Sequence, residues 1–204
     1  MASIKISGDT SGEITISAPA VAGTNTLTLP ATTGNILTDG QALPAIDGSA
    51  LTGLSGGITQ ADLWRLNNSI TADTGGVSAF ERADDTMAGL VGTGVSFSTP
   101  YFSFPETGIY LITSQVLFTP VNDGDNIIWQ TNYYNSSTST SDSLAVAQGS
   151  DPNTSAFSQC MLDVTNTTND KVYFQVLSLQ SGGTVFGNTN ENNTSVSFIR
   201  LGDT

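Results

Sequence analysis

The acidic side chains are the most numerous groups in this sequence with potential for chemistry. Aspartate and glutamate together number 18, whereas histidine is absent. Glycan hydrolysis, for example, requires two carboxyl groups held at a fixed separation across a cleft. No spacing singles out such a pair, and the adjacent Asp84 and Asp85 would point to opposite faces of a strand. The sequence therefore predicts no catalytic residues and a protein that is not an enzyme.

Cys160, the single cysteine, lacks the partner that a catalytic thiol requires. A nucleophilic cysteine is normally activated by a histidine base, and this chain has no histidine. Cys160 lies in the alternating run 157–164, which favours a small, buried, apolar side chain. One cysteine forms no disulfide within the chain, so we expect a fold that does not depend on oxidation.

The best candidate for a metal site is segment 121–126, with the sequence Val-Asn-Asp-Gly-Asp-Asn. Its side-chain oxygens are two residues apart, a spacing that suits calcium. The complete calcium-loop pattern is missing, however, and these residues are also common in turns between strands. We therefore predict a turn, with no metal and no cofactor. Calcium is the alternative, bound either in this segment or by acidic side chains on the axis of an oligomer.

The charge of the chain argues against several partners. Only five residues are basic, and the formal net charge is −13. Nucleic-acid binding needs clustered Lys and Arg to replace counterions, and anionic membrane surfaces attract similar clusters. Here the basic residues are scattered, and no segment is apolar over the length of a membrane span. We predict neither nucleic-acid binding nor membrane insertion. The basic residues are Lys5, Arg65, Arg82, Lys171 and Arg200.

Uncharged polar residues indicate an all-β protein. Charged residues make up 11% of the chain, and Ser, Thr, Asn and Gly supply much of the remaining polarity. These residues favour turns and strand faces over helix interiors. Short alternating runs between such loops are typical of a sandwich or jelly roll. Strands are expected at 108–118, 126–134, 144–148, 157–164, 172–179 and 194–201, and 62–66 is either a strand or one helical turn.

Segment 108–118 is the strongest predicted strand. Its odd-numbered and even-numbered positions both carry apolar side chains, such as Leu111 and Ile112. Successive residues of a strand point to opposite faces, so both faces of this strand are apolar. The pattern predicts a central strand that is covered on both sides.

The chain divides near Gly56 and Gly57 into two predicted parts. Residues 1–57 contain short alternating runs, such as 13–17, and no aromatic residue. A segment of this length cannot bury a stable core of its own. We expect an extended β arm or stem that pairs with other chains or lies along a larger protein, and a disordered arm is the alternative. Residues 58–204 are expected to form one β-sandwich head.

Two segments of the arm resemble bacteriophage proteins. Residues 43–54, Leu-Pro-Ala-Ile-Asp-Gly-Ser-Ala-Leu-Thr-Gly-Leu, resemble a repeat of phage tail fibres. Residues 18–30 resemble the amino-terminal stem of marine phage structural proteins, and 63–66 with 80–85 are similar to their jelly-roll virion protein. The resemblance implies a virion protein, with residues 1–57 contacting other capsid or tail components. The amino terminus lacks a signal-peptide pattern, so we expect synthesis in the host cytoplasm.

The head resembles another family as well. Residues 102–112, Phe-Ser-Phe-Pro-Glu-Thr-Gly-Ile-Tyr-Leu-Ile, resemble a signature of complement globular heads and the tumour necrosis factor superfamily. Residues 160–164 and 169–174 are similar to a later hairpin of that family, with Asn169 where glycine is usual. Residues 195–201 resemble its closing strand but lack the glycine. The resemblance implies a jelly roll that assembles as a compact homotrimer.

Aromatic residues supply the candidates for contact between copies. The head carries many aromatic side chains for one small sandwich, and an exposed apolar patch would require a partner. We predict that Tyr110, Phe174 and Phe198 pack in the trimer. The alternative is that all of the aromatic side chains belong to the core.

These observations together predict a trimeric structural protein of a phage particle, a fibre or spike with a distal jelly-roll head. It would serve host attachment as a tail fibre or decorate the capsid as a head fibre, and the sequence leaves both locations open. Loops 135–142, 148–155 and 180–193 are rich in Ser, Asn, Gly and Thr and suit hydrogen bonds to a host surface glycan. The alternatives are a carbohydrate-binding module of a bacterial surface and, after it, a glycan hydrolase.

Overall fold

All regular secondary structure that the computed structural model describes is β-strand. This confirms the predicted all-β class, and within these residues no helix is long and apolar enough to cross a membrane. The chain divides into two compact units, Met1–Thr52 and Gly53–Thr204. The described residues are 3–17, 21, 24, 31, 57–84, 89–120, 122, 125–151 and 153–203.

The described residues of the first unit include an antiparallel hairpin. Strand β1 (Ser3–Ser7) pairs with β2 (Glu13–Ser17), so that Ile4 lies opposite Ile16. Both strands coincide with alternating runs of the sequence, because alternation places one apolar stripe on one face. The phage-like segment 43–54 lies outside the described residues, and so does segment 18–30 apart from Val21 and Thr24.

The second unit is a sandwich of two antiparallel sheets. One sheet has the order β10-β7-β13-β3-β4, with β12 also pairing with β7, and the other has the order β5-β6-β11-β8-β9. The strands are β3 (Ala61–Leu66), β4 (Phe80–Arg82), β5 (Ser96–Ser98), β6 (Tyr101–Ser103), β7 (Gly108–Thr119), β8 (Ile127–Asn135), β9 (Thr140–Gly149), β10 (Thr154–Val164), β11 (Asp170–Leu177), β12 (Thr184–Val185) and β13 (Ser195–Gly202).

Aromatic side chains fill the core between these sheets. Phe102 and Phe174 are fully buried with their ring centroids 5.7 Å apart, and Trp129 stacks on Phe174 at 5.4 Å. Such pairs add about 0.5–1.5 kcal/mol each beyond the burial of their area. Strand β3 confirms the strand alternative for residues 62–66, since Trp64 and Leu66 both reach this core.

Strand β7 is central in its sheet but covered on one face only. It lies between β10 and β13, and its even-numbered residues from Gly108 to Phe118 are buried. Its odd-numbered residues are half-buried or exposed. The prediction that both faces are covered is therefore wrong for a single chain, because the second sheet packs on one side only.

A buried carboxylate fixes the edge of the larger sheet. Asp62 accepts two hydrogen bonds from Arg82, through Nε and Nη2, both at 2.9 Å. It also accepts from Trp64 Nε1 at 3.0 Å and from the Val95 amide at 2.9 Å. With these partners the buried charge is compensated, so β3, β4 and the segment at Val95 are held in one arrangement.

Candidate assembly surface

One outward face of the sandwich brings apolar side chains into register. We call it the β7 outer face, and it lies on the larger sheet, on the side away from the core. Its members are Ala61 and Leu63 of β3, Ile109, Leu111, Thr113 and Leu117 of β7, Phe157 and Met161 of β10, and Ser197 and Ile199 of β13.

Strand pairing aligns the centre of this face. Leu111 lies opposite Met161 on one side and opposite Ile199 on the other. Ile199 in turn lies opposite Ala61, so four apolar side chains form one row across four strands. Cross-strand neighbours on one face contact each other, and the row is therefore a continuous apolar band.

The β7 outer face is left open to solvent by the single chain. Met161 is 69% exposed and Phe157 is 61% exposed, while Leu63, Ile109 and Leu111 are half-buried. Isolated exposed apolar residues are ordinary, but a contiguous set of this kind is typical of an interaction surface.

Some polar members of this face make hydrogen bonds within it. Thr113 Oγ1 and Ser197 Oγ are 2.6 Å apart, so each hydroxyl has a partner without water. At one margin the fully buried Arg65 donates to Glu81 Oε1 at 2.8 Å and contacts Asp84. The exposed Gln115 and Gln159 lie on the same face, opposite Phe157 and Thr113, so a covering copy would have to hydrogen-bond their amides.

The three predicted trimer-packing residues lie elsewhere, in the core of the sandwich. Tyr110, Phe174 and Phe198 are 1%, 0% and 1% exposed. Tyr110 packs against Phe104 with ring centroids 4.6 Å apart, and its hydroxyl donates to the Glu106 carbonyl at 3.0 Å. Side chains that one copy already covers offer no surface to a second copy. The structure places all three residues in the core of the single chain, and a contact through an outward face would use other residues.

Phe157 and Met161 were missed by the sequence reasoning. Both belong to the run 157–164, where Leu162 and Val164 point inward and the odd-numbered residues point outward. Strand alternation could have identified them. Phe157 and Met161 occupy odd-numbered positions, and the buried residues of the run occupy even-numbered positions.

Cys160 packs partly buried against the core, as its alternating run predicts. Burial raises the pKa of the Cys160 thiol to about 11. The thiol is therefore protonated at neutral pH, and the nucleophilic thiolate is scarce.

The calcium candidate is only partly described, since Val121, Asp123 and Gly124 lie outside the described residues. Asn122 Nδ2 donates to Asp125 Oδ2 at 3.1 Å, and the Asp125 amide donates to the Asn122 carbonyl at 3.2 Å. These bonds are typical of a turn. Across the described part of the chain, no three His, Cys, Asp or Glu side chains cluster as metal ligands would.

Known proteins resemble this chain in fold. No protein-family model and no curated protein matches its sequence. Among solved structures, Eiger TNF from S. frugiperda is similar, with 16% identity and a TM-score of 0.57 over 72% of this chain and 95% of that chain. Murine APRIL, solved at pH 8.5, is similar with 17% identity and a TM-score of 0.53 over 70% of this chain and 98% of that chain.

At these identities the likeness concerns the fold alone. The sandwich is a jelly roll of the tumour necrosis factor type, which confirms the fold implied by residues 102–112.

Proposed function

We propose that this protein is a structural, non-enzymatic component of a bacteriophage particle that assembles from three copies through the β7 outer face. The observation that carries the proposal is the row formed by Met161, Leu111, Ile199 and Ala61, in which a single chain leaves Met161 exposed and the other three half-buried. Burying a large apolar side chain stabilises a contact by about 1.5–3 kcal/mol. Several such side chains on one face supply a driving force for association.

The charge of the chain supports an apolar contact. Each copy carries a formal charge of −13, so copies repel each other over most of their surface. On the β7 outer face the exposed acid Asp163 lies opposite Ile109 at one margin. The acids at the other margin, Glu81 and Asp84, are both paired with Arg65. The face is therefore a place where like-charged copies can meet.

Two parts of the proposal, the number of copies and the location in a phage particle, rest on sequence resemblance. Residues 102–112 imply a threefold assembly, and residues 18–30 and 43–54 imply a virion stem. The β1–β2 hairpin is consistent with a stem that needs a partner, because Ile4 and Ile16 are 65% and 46% exposed. An isolated two-stranded hairpin is marginally stable until its apolar face is covered.

Light scattering on the full-length chain tests the assembly. We expect a mass of three times 21.1 kDa for the natural sequence and 21.1 kDa for the double variant Phe157→Asp, Met161→Asp. The control is Ser181→Asp, which adds a charge at an exposed position away from the face and should keep the trimer mass. Circular dichroism should show the same β content in all three proteins.

A mass of 21.1 kDa for the natural sequence would contradict the proposal. It would make a carbohydrate-binding module of a bacterial surface the leading function, because such a module needs no assembly.

A further inference from the structure

Three tyrosines cluster on the opposite side of the sandwich, on the outward face of the smaller sheet. Tyr101 of β6 stacks on Tyr134 of β8, with ring centroids 4.7 Å apart and planes 17° apart. Tyr173 of β11 meets Tyr101 edge-on, with centroids 5.7 Å apart and planes at 73°. All three side chains are half-buried, so their rings are reached by solvent. We call this cluster with its strand neighbours the tyrosine face.

Strand alternation shows that these rings do not serve the core. Along β11 the buried residues are Asp170, Val172, Phe174 and Val176, and Tyr173 points the other way. Tyr134 shares its face, because it lies opposite Lys171 in the register of β8 and β11. Core burial therefore does not account for three aromatic rings here, and their solvent-facing position makes them available for a surface role.

Apart from the cationic Lys171, the groups around the rings are neutral hydrogen-bonding side chains with partners in the sheet. Asn132 Nδ2 donates to Gln175 Oε1 at 3.2 Å, and Gln130 Nε2 donates to Ser143 Oγ at 2.6 Å. Asn132 is buried, whereas the half-buried Gln130 and Gln175 keep further acceptor or donor capacity for a ligand. Lys171 Nζ donates to Ser103 Oγ at 2.9 Å beside the rings.

This face also lacks the negative charge that dominates the chain. The five strands of the smaller sheet carry two acidic residues, Asp142 and Asp170. Asp142 lies opposite Tyr133, and Asp170 accepts from the Tyr133 hydroxyl at 2.7 Å, so both belong to the inward parity. The protein has 18 acidic residues, so a sheet face whose strands point no acid outward differs from the acidic character of the chain as a whole. An electron-rich ligand such as a polyol can approach it without repulsion.

We propose that the tyrosine face binds a glycan, with a neutral hexose polymer as the preferred class. One face of a pyranose ring presents C–H bonds of slightly positive character, which pack on the negative face of an aromatic ring. The sugar hydroxyls are donors and acceptors that suit the half-buried amides of Gln130 and Gln175, which the buried Asn132 supports from below. Burial raises the pKa of Tyr101, and Tyr134 and Tyr173 raise it further, so its hydroxyl stays protonated and able to donate.

Glycan binding at the tyrosine face would supply the ligand for host attachment by the proposed phage protein. This inference therefore rests on the proposed function. Three copies would present three such faces, and binding of one polymer by several faces strengthens weak single contacts without any new interaction. Assembly and glycan binding are measured separately, so failure of either is recognised by itself.

The test applies the full-length protein to an array of immobilised neutral oligosaccharides (glucans, mannans and galactans), with albumin spots as the blank. We expect the natural sequence to bind. Tyr134→Ala and Tyr173→Ala should each lower the binding affinity about tenfold or more, which corresponds to about 1.4 kcal/mol per ring. Tyr134→Phe keeps the ring and should retain most of the binding. Ser11→Ala, at an exposed position between β1 and β2 and outside the smaller sheet, is the control.

Two results would overturn the proposal. One is no signal from the natural sequence on any sugar, and the other is equal binding by Tyr134→Ala and the natural sequence. Light scattering and thermal unfolding on the same samples identify a variant that has lost its fold or its assembly. If the protein is a monomer that binds sugar, the glycan site is supported and the trimer is contradicted. If it is a trimer that binds no sugar, the trimer is supported and the glycan site is contradicted.

Discussion

Asp170 closes the loop between β10 and β11. Its carboxylate accepts hydrogen bonds from the Thr165 amide at 2.9 Å, the Asn166 amide at 2.8 Å and the Tyr133 hydroxyl at 2.7 Å. Burial opposes ionisation and by itself raises the pKa of Asp170, but the hydrogen bonds from Tyr133, Asn166 and Thr165 together outweigh it and hold the pKa below its ordinary value. The ionised carboxylate is thus part of the loop structure.

Asp170→Asn should lower the free energy of unfolding by about 2 kcal/mol at pH 7, because an amide cannot accept from all of these donors. Since the folded pKa lies below the unfolded one, the ionised group contributes stability that is present above the unfolded value of about 3.9 and is lost as pH falls through the folded value. The difference between natural sequence and variant should therefore shrink between pH 7 and pH 3.

Denaturant unfolding at both pH values measures this difference. Asp151→Asn removes an exposed carboxylate and should change stability by less than about 0.5 kcal/mol at either pH. An Asp170→Asn difference that stays constant down to pH 3 would argue against a stabilising charge.

Asn169, next to Asp170, illustrates what the sequence could and could not predict at this scale. The resemblance placed 169–174 in a hairpin and marked Asn169 as a departure from the usual glycine. Asn169 is not among the residues with positive φ, so the turn does not require glycine. The role of Asp170 was not predictable, because its donor Tyr133 is 37 positions away and meets it only through the pairing of β8 and β11.

Gly108 begins strand β7 in a conformation that favours glycine. Its φ is 139°, and an added Cβ would lie 2.5 Å from the Gly202 carbonyl oxygen and 2.7 Å from Arg200 Nε. The close approach to β13 explains why this chain has a glycine at this position. A side chain here would separate the starts of two paired strands.

Gly108→Ala should therefore destabilise the sandwich by about 2 kcal/mol through backbone strain and the forced shift of β13. In a domain of this size that loss corresponds to a fall of roughly 4–8 °C in Tm. Gly202→Ala is the matched control, because nothing lies within 4 Å of its added Cβ. Calorimetry at equal protein concentration compares the two, and equal Tm values would show that β13 adapts without cost.

Strand periodicity predicted which residues of β7 share a face, but it did not predict which face is covered. Leu111 and Ile112 are both apolar, and alternation alone treats their two faces alike. The distinction depends on where the second sheet packs, which is a long-range property of the chain. The register of β7 with β10 and β13 shows that Ile112 points to the core and that Leu111 joins Met161 and Ile199 outside.

At the scale of the whole molecule, composition was sufficient for the fold class and insufficient for the assembly surface. The number of aromatic residues predicts an interface, because it is large for the core of one small sandwich. Tyr110, Phe174 and Phe198 nevertheless all lie within the core of the single chain. The uncovered apolar residues are mostly aliphatic, with Phe157 and Met161 on β10 as the most exposed of the β7 outer face. Number and type of apolar residues do not carry this information, because it depends on strand parity and pairing.

An apolar contact between strongly acidic copies predicts a definite response to salt. Three copies carry three times −13, or −39, and their mutual repulsion opposes assembly. Raising the ionic strength from about 10 mM to about 150 mM shortens the Debye length from about 30 Å to about 8 Å and weakens this repulsion. Apolar burial is little affected by the same change, so the net effect favours the assembled state.

The dissociation constant of the assembly should therefore fall by about tenfold over this range, equal to about 1.4 kcal/mol. Analytical ultracentrifugation across a concentration series measures it. Asp163→Asn removes an exposed charge at the margin of the β7 outer face and should give both tighter assembly and a smaller salt response. Assembly that weakens with salt would mean that ion pairs between copies outweigh apolar burial, and the contact would then lie on a different surface from the row centred on Leu111.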